Sequence, residues 1–145
     1  MSLQNAIVLP DGAQIRGRGL RHPLPAGDLP ERGLYLGSAR LRQQHDPTLD
    51  WDHEWLDWPD FRLPRDPDQA VRAIGDLHRR ARQGHRVEVA CGGGVGRTGT
   101  VLACLAVLAG VPAADAVGWV RANYHPRAVE TPWQRRWVTR FPLRT

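Results

Sequence analysis

The chain has 145 residues and a formal net charge of +5, which suits one domain with a single core flanked by helices. Every one of its twenty basic residues is arginine, a bias of genome composition rather than a basic surface, so nucleic-acid binding is discounted despite the high pI. Two cysteines do not make a disulfide framework. The apolar stretch from Thr98 to Ala109 is too short to span a bilayer, so no membrane is expected as a partner. No export signal is read at the N-terminus, and a reducing cytoplasm is the expected setting.

Residues 1–33 are rich in Gly, Pro and Arg and read as an irregular segment without evident chemistry. Within it, Ile7-Val8-Leu9, the turn formers Pro10-Asp11-Gly12, and Ala13-Gln14-Ile15 suggest a small hairpin on a sheet edge. Strands are expected at about 34–36 and 53–57, the second running straight into Trp58-Pro59-Asp60. Asp66, Pro67 and Gln69 mark a helix start in the cap, first-turn and box positions. Val71, Ile74, Leu77 and Ala81 keep one face of that helix apolar as far as Gly84.

Arg86 to Ala90 reads as a short strand, and Cys91-Gly-Gly-Gly-Val-Gly-Arg97 follows it. A helix is expected from Thr98 to Gly110, with Cys104 in its core and too far along it to bond to Cys91. Ala113, Ala116, Val117 and Val120 again fall at helical spacing. A last helix starts at Thr131-Pro132, and its stripe of Trp133, Trp137 and Phe141 reads as core. Strands separated by helices imply an α/β fold, a mostly parallel sheet with helices on both faces, as one domain over 1–145. The site then falls at the C-terminal end of a strand.

The loop after that strand carries the chemistry. Gly92, Gly93, Gly94, Val95 and Gly96 let successive backbone N–H groups turn inward on one anion. Arg97 can hold phosphate oxygens through two parallel hydrogen bonds. The helix N-terminus behind the loop favours a phosphate and a thiolate, so phosphate or vanadate is the expected occupant. A nucleotide P-loop fits poorly, because Cys91 stands where it needs a glycine and Arg97 where it needs a lysine. A sulfurtransferase loop would have no use for an acid upstream. A glycine-rich turn with a chance cysteine is the plain alternative.

Cys91 and Arg97 with five residues between them, Gly94, and then Thr98-Gly99 resemble the active-site loop of the cysteine-dependent protein tyrosine phosphatase superfamily. Trp58-Pro59-Asp60, with Pro64 beyond, resembles the mobile acid loop of its tyrosine-specific members and lies upstream of the cysteine, as it does there. Leu34-Tyr35-Leu36-Gly37-Ser38 resembles the first strand of the small dual-specificity branch. The resemblance spans about residues 34–141.

It implies Cys91 as nucleophile, the amides of residues 92–97 as anion hole, and Arg97 as the transition-state clamp. Asp60 would be general acid and then general base, with Asp57, Asp66 and Asp68 as nearby competitors. The Thr98 hydroxyl would donate to the sulfur or cap the helix. Glu130-Thr-Pro-Trp-Gln134 resembles the glutamine loop, but Glu130 stands where the water-positioning glutamine would be. Gln134 then either contacts substrate or completes a capping box with Thr131. Ala90 replaces the histidine that most members have before the cysteine, so slower turnover or a shift to higher pH is expected.

No cofactor or metal is implied, since the six histidines show no ligand spacing. Residues 92–96 add no charge, which points to a single phosphomonoester on phosphotyrosine or mixed phosphoproteins. A phosphate-binding module without turnover and an RNA 5′-triphosphatase are the alternatives.

Overall fold

The structure, a computed structural model, describes residues 2–141; Met1 and residues 142–145 of the expected domain lie outside that range. Its strands are β1 (Ile7–Val8), β2 (Gln14–Gly19), β3 (Arg32–Gly37), β4 (Asp52–Asp57) and β5 (Val87–Cys91). They form one sheet in the order β1-β2-β5-β3-β4. Only β1 is antiparallel, pairing Ile7 with Ile15 and Val8 with Gln14; the other pairs are parallel. Parallel neighbours need crossovers. Helix α1 (Ala39–His45) leads through a 3-10 turn (Asp46–Thr48) from β3 to β4, and α2 (Pro67–Arg82) joins β4 to β5. Then come α3 (Gly96–Leu108), a 3-10 turn at Ala113–Asp115, α4 (Ala116–Asn123) and α5 (Pro132–Thr139).

The two-residue period of the strands divides their side chains between two faces. Leu34, Leu36, Leu56, Val87, Val89 and Cys91 join α2, α3, α4 and α5 in the main core. Tyr35, Trp55 and Ala90 point the other way, into a smaller cluster with Leu20, Leu41 and Leu49. The fold is therefore α/β, with a mostly parallel sheet and helices on both faces. The faces are unequal, because α1 is the one helix that contributes to the second cluster among the described residues.

The N-terminal segment departs from the irregular reading. The hairpin forms at the sheet edge, but β2 runs on to Gly19 and pairs with β5 from Arg16–Glu88 to Gly19–Cys91. An inner strand was hidden there because its inward residue is charged. Arg16 is fully buried and donates through Nε (2.9 Å) and NH2 (2.7 Å) to Glu88 Oε1. Arg18 Nε donates to the same oxygen at 2.9 Å, and the Tyr35 hydroxyl donates to Glu88 Oε2 at 2.6 Å. Trp51 Nε1 completes the chain by donating to that hydroxyl. A buried carboxylate is tolerable only with such partners. Burial, and then the Glu88 charge, push the Tyr35 phenol well above its ordinary pKa.

Three local details also differ from the sequence reading. Asp66 does cap α2 by accepting from Gln69 N at 3.1 Å, but the Gln69 side chain reaches Glu54 rather than closing a box. Helix α3 begins at Gly96, so Thr98 lies inside its first turn and caps nothing; the cap position is Val95. Trp133 is 45% exposed and is not core, because its indole N–H is drawn to Phe61 O at 2.7 Å. The remaining stripe behaves as read, with Trp137 packed against the core and Phe141 buried. Cys104 is a free, fully buried thiol whose pKa burial pushes up. No helix among the described residues is long and apolar enough to cross a membrane.

Candidate active site

Strand β5 ends on Cys91, and α3 starts at Gly96, so residues 92–95 turn the chain at the C-terminal edge of the sheet. Gly94 sits at φ +78°. From there its N–H donates to Cys91 Sγ at 3.2 Å, and its carbonyl accepts from the Tyr124 hydroxyl at 2.5 Å. A Cβ on Gly94 would lie 2.5 Å from Gly19 N and 2.6 Å from Arg18 C. Glycine is thus required there for both its dihedral and its bulk. The same backbone braces the loop from outside, with Leu20 N donating to Cys91 O (2.8 Å) and Arg21 N to Gly92 O (3.1 Å). Cys91 itself is 2% exposed.

Arg97 lies in the first turn of α3, buried at 4%. Its NH1 donates to Trp58 O at 3.0 Å and to Leu36 O at 3.4 Å, which ties the loop to the ends of β3 and β4. Its Nε has no hydrogen-bond partner and faces Asp60 Oδ1 at 3.5 Å. The Thr98 hydroxyl is a second buried group without a partner. Two unsatisfied buried groups beside one loop are uncommon, since each carries a desolvation penalty of about 1–3 kcal/mol.

Trp58 fixes the Trp58-Pro59-Asp60 stretch. It is fully buried, its N–H donates to Gly37 O at 3.2 Å, its indole donates to Arg62 O at 2.8 Å, and its ring stacks edge-on against Trp137. Arg65 N closes the segment on Asp57 O at 3.0 Å. Asp60 accepts from Phe61 N at 3.0 Å and turns its carboxylate to Arg97. Its competitors are engaged elsewhere or lie elsewhere: Asp57 pairs with Arg65 at 3.2 Å, Asp66 caps α2, and Asp68 is in that helix's first turn.

Gln134 is buried and fully engaged in hydrogen bonds. Its Oε1 accepts from Glu130 N (3.0 Å) and Thr131 N (3.3 Å), and its Nε2 donates to Arg62 O (3.1 Å). It therefore completes the capping box of α5 and ties that helix to the acid stretch. Glu130 takes the place nearer the loop. Its carboxylate lies against Gly96, where any side chain would collide with it. Partial burial and then the Asp60 charge raise its pKa, with Arg97, His125 and Arg127 pulling the other way.

Ala90 is enclosed by the Tyr35, Leu41 and Trp55 cluster, which fills the space beside it on the minor face. Support for the loop comes instead from Tyr124 and from the backbone of residues 18–21. Burial, and then the Cys91 charge, raise the Tyr124 phenol's pKa. Nothing local in the sequence marks Tyr124, because it follows an unremarkable helix end. Arg21 and Glu88 were equally silent, since their partners lie far away in the chain.

A family model described as "PTP-SAK: Swiss Army Knife protein, DSP-PTPase phosphatase domain" matches residues 61–140, more than half of the chain. The chain belongs to this family of dual-specificity-like tyrosine phosphatase domains. The match starts just after Asp60. Among solved structures, Tk-PTP in its active form is similar at a TM-score of 0.72 and 21% identity, over 98% of this chain and 99% of that one. A kinase associated phosphatase with serine in place of its catalytic-site cysteine superposes at 0.73 and 11% identity, over 97% and 94%. PTPMT1 in complex with PI(5)P reaches 0.58 at 11% identity, over 77% and 75%. At these identities the likeness is one of fold.

Proposed function

We propose that this phosphatase-family chain hydrolyses phosphomonoesters through a cysteinyl-phosphate intermediate, without a metal, on phosphotyrosine or mixed phosphoprotein substrates in the cytoplasm. The observation that carries the reading is the facing pair of Asp60 and Arg97 beside the loop that starts at Cys91. An anion in that loop would offer acceptors to Arg97 Nε, which has no hydrogen-bond partner, and to backbone N–H groups of the loop.

In the first step the Cys91 thiolate attacks phosphorus. The S–P bond forms as the P–O bond to the leaving group breaks, and Asp60 gives its proton to the departing oxygen. Arg97 and the amides of residues 92–97 hold the equatorial oxygens as their charge redistributes. In the second step Asp60 takes a proton from water as that water attacks phosphorus. The S–P bond breaks, phosphate leaves, and the thiolate is restored. Thr98 can donate its unpaired hydroxyl to the departing sulfur. Gln134 acts at one remove, by holding the acid stretch at Arg62.

The test is hydrolysis of a small aryl phosphate in reducing buffer with EDTA, for the wild type and Cys91→Ser. Turnover in the first and none in the second supports the proposal. No turnover in the reduced wild type, with vanadate still bound, leaves a phosphate-binding module.

A further inference from the structure

A cavity of about 290 Å³ is lined by Arg21, Ser38, Arg40, Leu41 and Gln44. Arg21 connects it to the phosphate loop. Its backbone N–H donates to Gly92 O, and its guanidinium overlies Gly92 so closely that any side chain there would collide with it. Arg40 enters from α1, two residues beyond Ser38.

Two features coincide at these arginines: they line one cavity together, and neither has an acid partner. Among the described residues, Arg16, Arg18, Arg32, Arg65, Arg79, Arg80, Arg82, Arg86 and Arg97 each form an ion pair; Arg21 and Arg40 form none, as is also true of Arg42, Arg62, Arg72 and the arginines after Arg97. No carboxylate lines their cavity. The local potential is felt by His45 at the end of α1, which burial and then the charges of Arg21 and Arg18 hold below its ordinary pKa. Two uncompensated guanidinium groups at one cavity, one of them lying on the loop that would hold the reacting phosphate, make a receptor for a second anion.

Resting on the hydrolase reading above, we infer that the substrate carries a second phosphate, bound by Arg21 and Arg40 while the first sits over Cys91. Guanidinium is suited to this because its fork matches two phosphate oxygens at once. The uncharged loop, which by itself points to a single phosphate, is supplemented from the β2–β3 connection. That source is invisible in the sequence because Arg21 and Gly92 meet only in the fold.

The experiment compares kcat/KM for matched substrates with one and two phosphates, in two arms: inositol mono- and bisphosphates, and singly and doubly phosphorylated peptides. The wild type should prefer the second phosphate about tenfold in at least one arm, a ratio equal to about 1.4 kcal/mol. Preference in the inositol arm assigns a compact polyol phosphate, and preference in the peptide arm a phosphoprotein. Arg21→Gln with Arg40→Gln should bring the ratio toward one, chiefly through KM. Independently of any variant, the wild-type ratio should shrink as salt screens the exposed arginines. A ratio near one in both arms, or a preference that survives both substitutions and high salt, overturns the inference. If aryl phosphate is not turned over at all, the hydrolase reading fails separately, and the same ratio measured as Kd then decides whether a second phosphate is bound.

Discussion

Asp60 Oδ1 stands 3.5 Å from Arg97 Nε, and the same guanidinium donates to Trp58 O two residues earlier. One arginine thus registers the Trp58–Asp60 stretch against the glycine loop through both a side chain and the backbone. Asp60→Ala removes the proposed proton donor and leaves the backbone tie. For an alkyl or phenyl phosphate, kcat should fall by roughly two to four powers of ten. With a leaving group that needs no proton, such as a dinitrophenolate, the loss should be slight. Steady-state rates across a leaving-group series check this.

Gly94→Ala forces a Cβ into the β2 backbone at Gly19 and Arg18 and strains a positive φ. Neither neighbour can rotate away, so the loop itself must shift. A displacement on the order of 1 Å should cost about a hundredfold in kcat/KM. Vanadate affinity should fall with it, while the far-ultraviolet circular dichroism stays native.

Glu88→Ala leaves Arg16 fully buried and Arg18 nearly so without their shared carboxylate. Urea denaturation should show a loss of about 3–5 kcal/mol, the usual result of breaking a buried pair from one side. Tyr35→Phe removes one hydrogen bond to the same group and should lose about 1–2 kcal/mol.

Glu130 binds its proton more tightly in the folded state, because of partial burial and the nearby Asp60 charge. Its contribution to stability is therefore fully present below the ordinary glutamate range and is lost as pH rises through the raised folded pKa. Glu130→Gln does not titrate. Its melting temperature relative to wild type should climb as pH rises through that range and then level off. A falling difference would mean that attraction to Arg97 outweighs both burial and Asp60.

The parts of the site legible in sequence are those built from near neighbours. Cys91 to Gly99 shows strand, anion loop and helix in a single run, and the Thr131–Gln134 box lies within one helical turn. The illegible parts depend on contacts between distant segments. Strand β2 was obscured because Arg16, paired with Glu88, occupies a core position. Trp133 looked like core at helical spacing until the acid stretch supplied an acceptor for its indole. Ala90 showed as a missing histidine, whereas Tyr35, Leu41 and Trp55 pack around it and Tyr124 braces the loop from the other side of the fold. Glu130 stood out only as a departure from a pattern, and its position against Gly96 needed the fold.

The central claim is that the Cys91 sulfur carries the phosphoryl group, and rapid mixing of enzyme with an aryl phosphate tests it most directly. The expected result is a burst of phenolate close to one equivalent per enzyme when the second step is slowed, with phosphate recovered on the Cys91 peptide after quenching, and neither signal in Cys91→Ser. Turnover without phosphate on Cys91, or turnover that persists in Cys91→Ser, would contradict it.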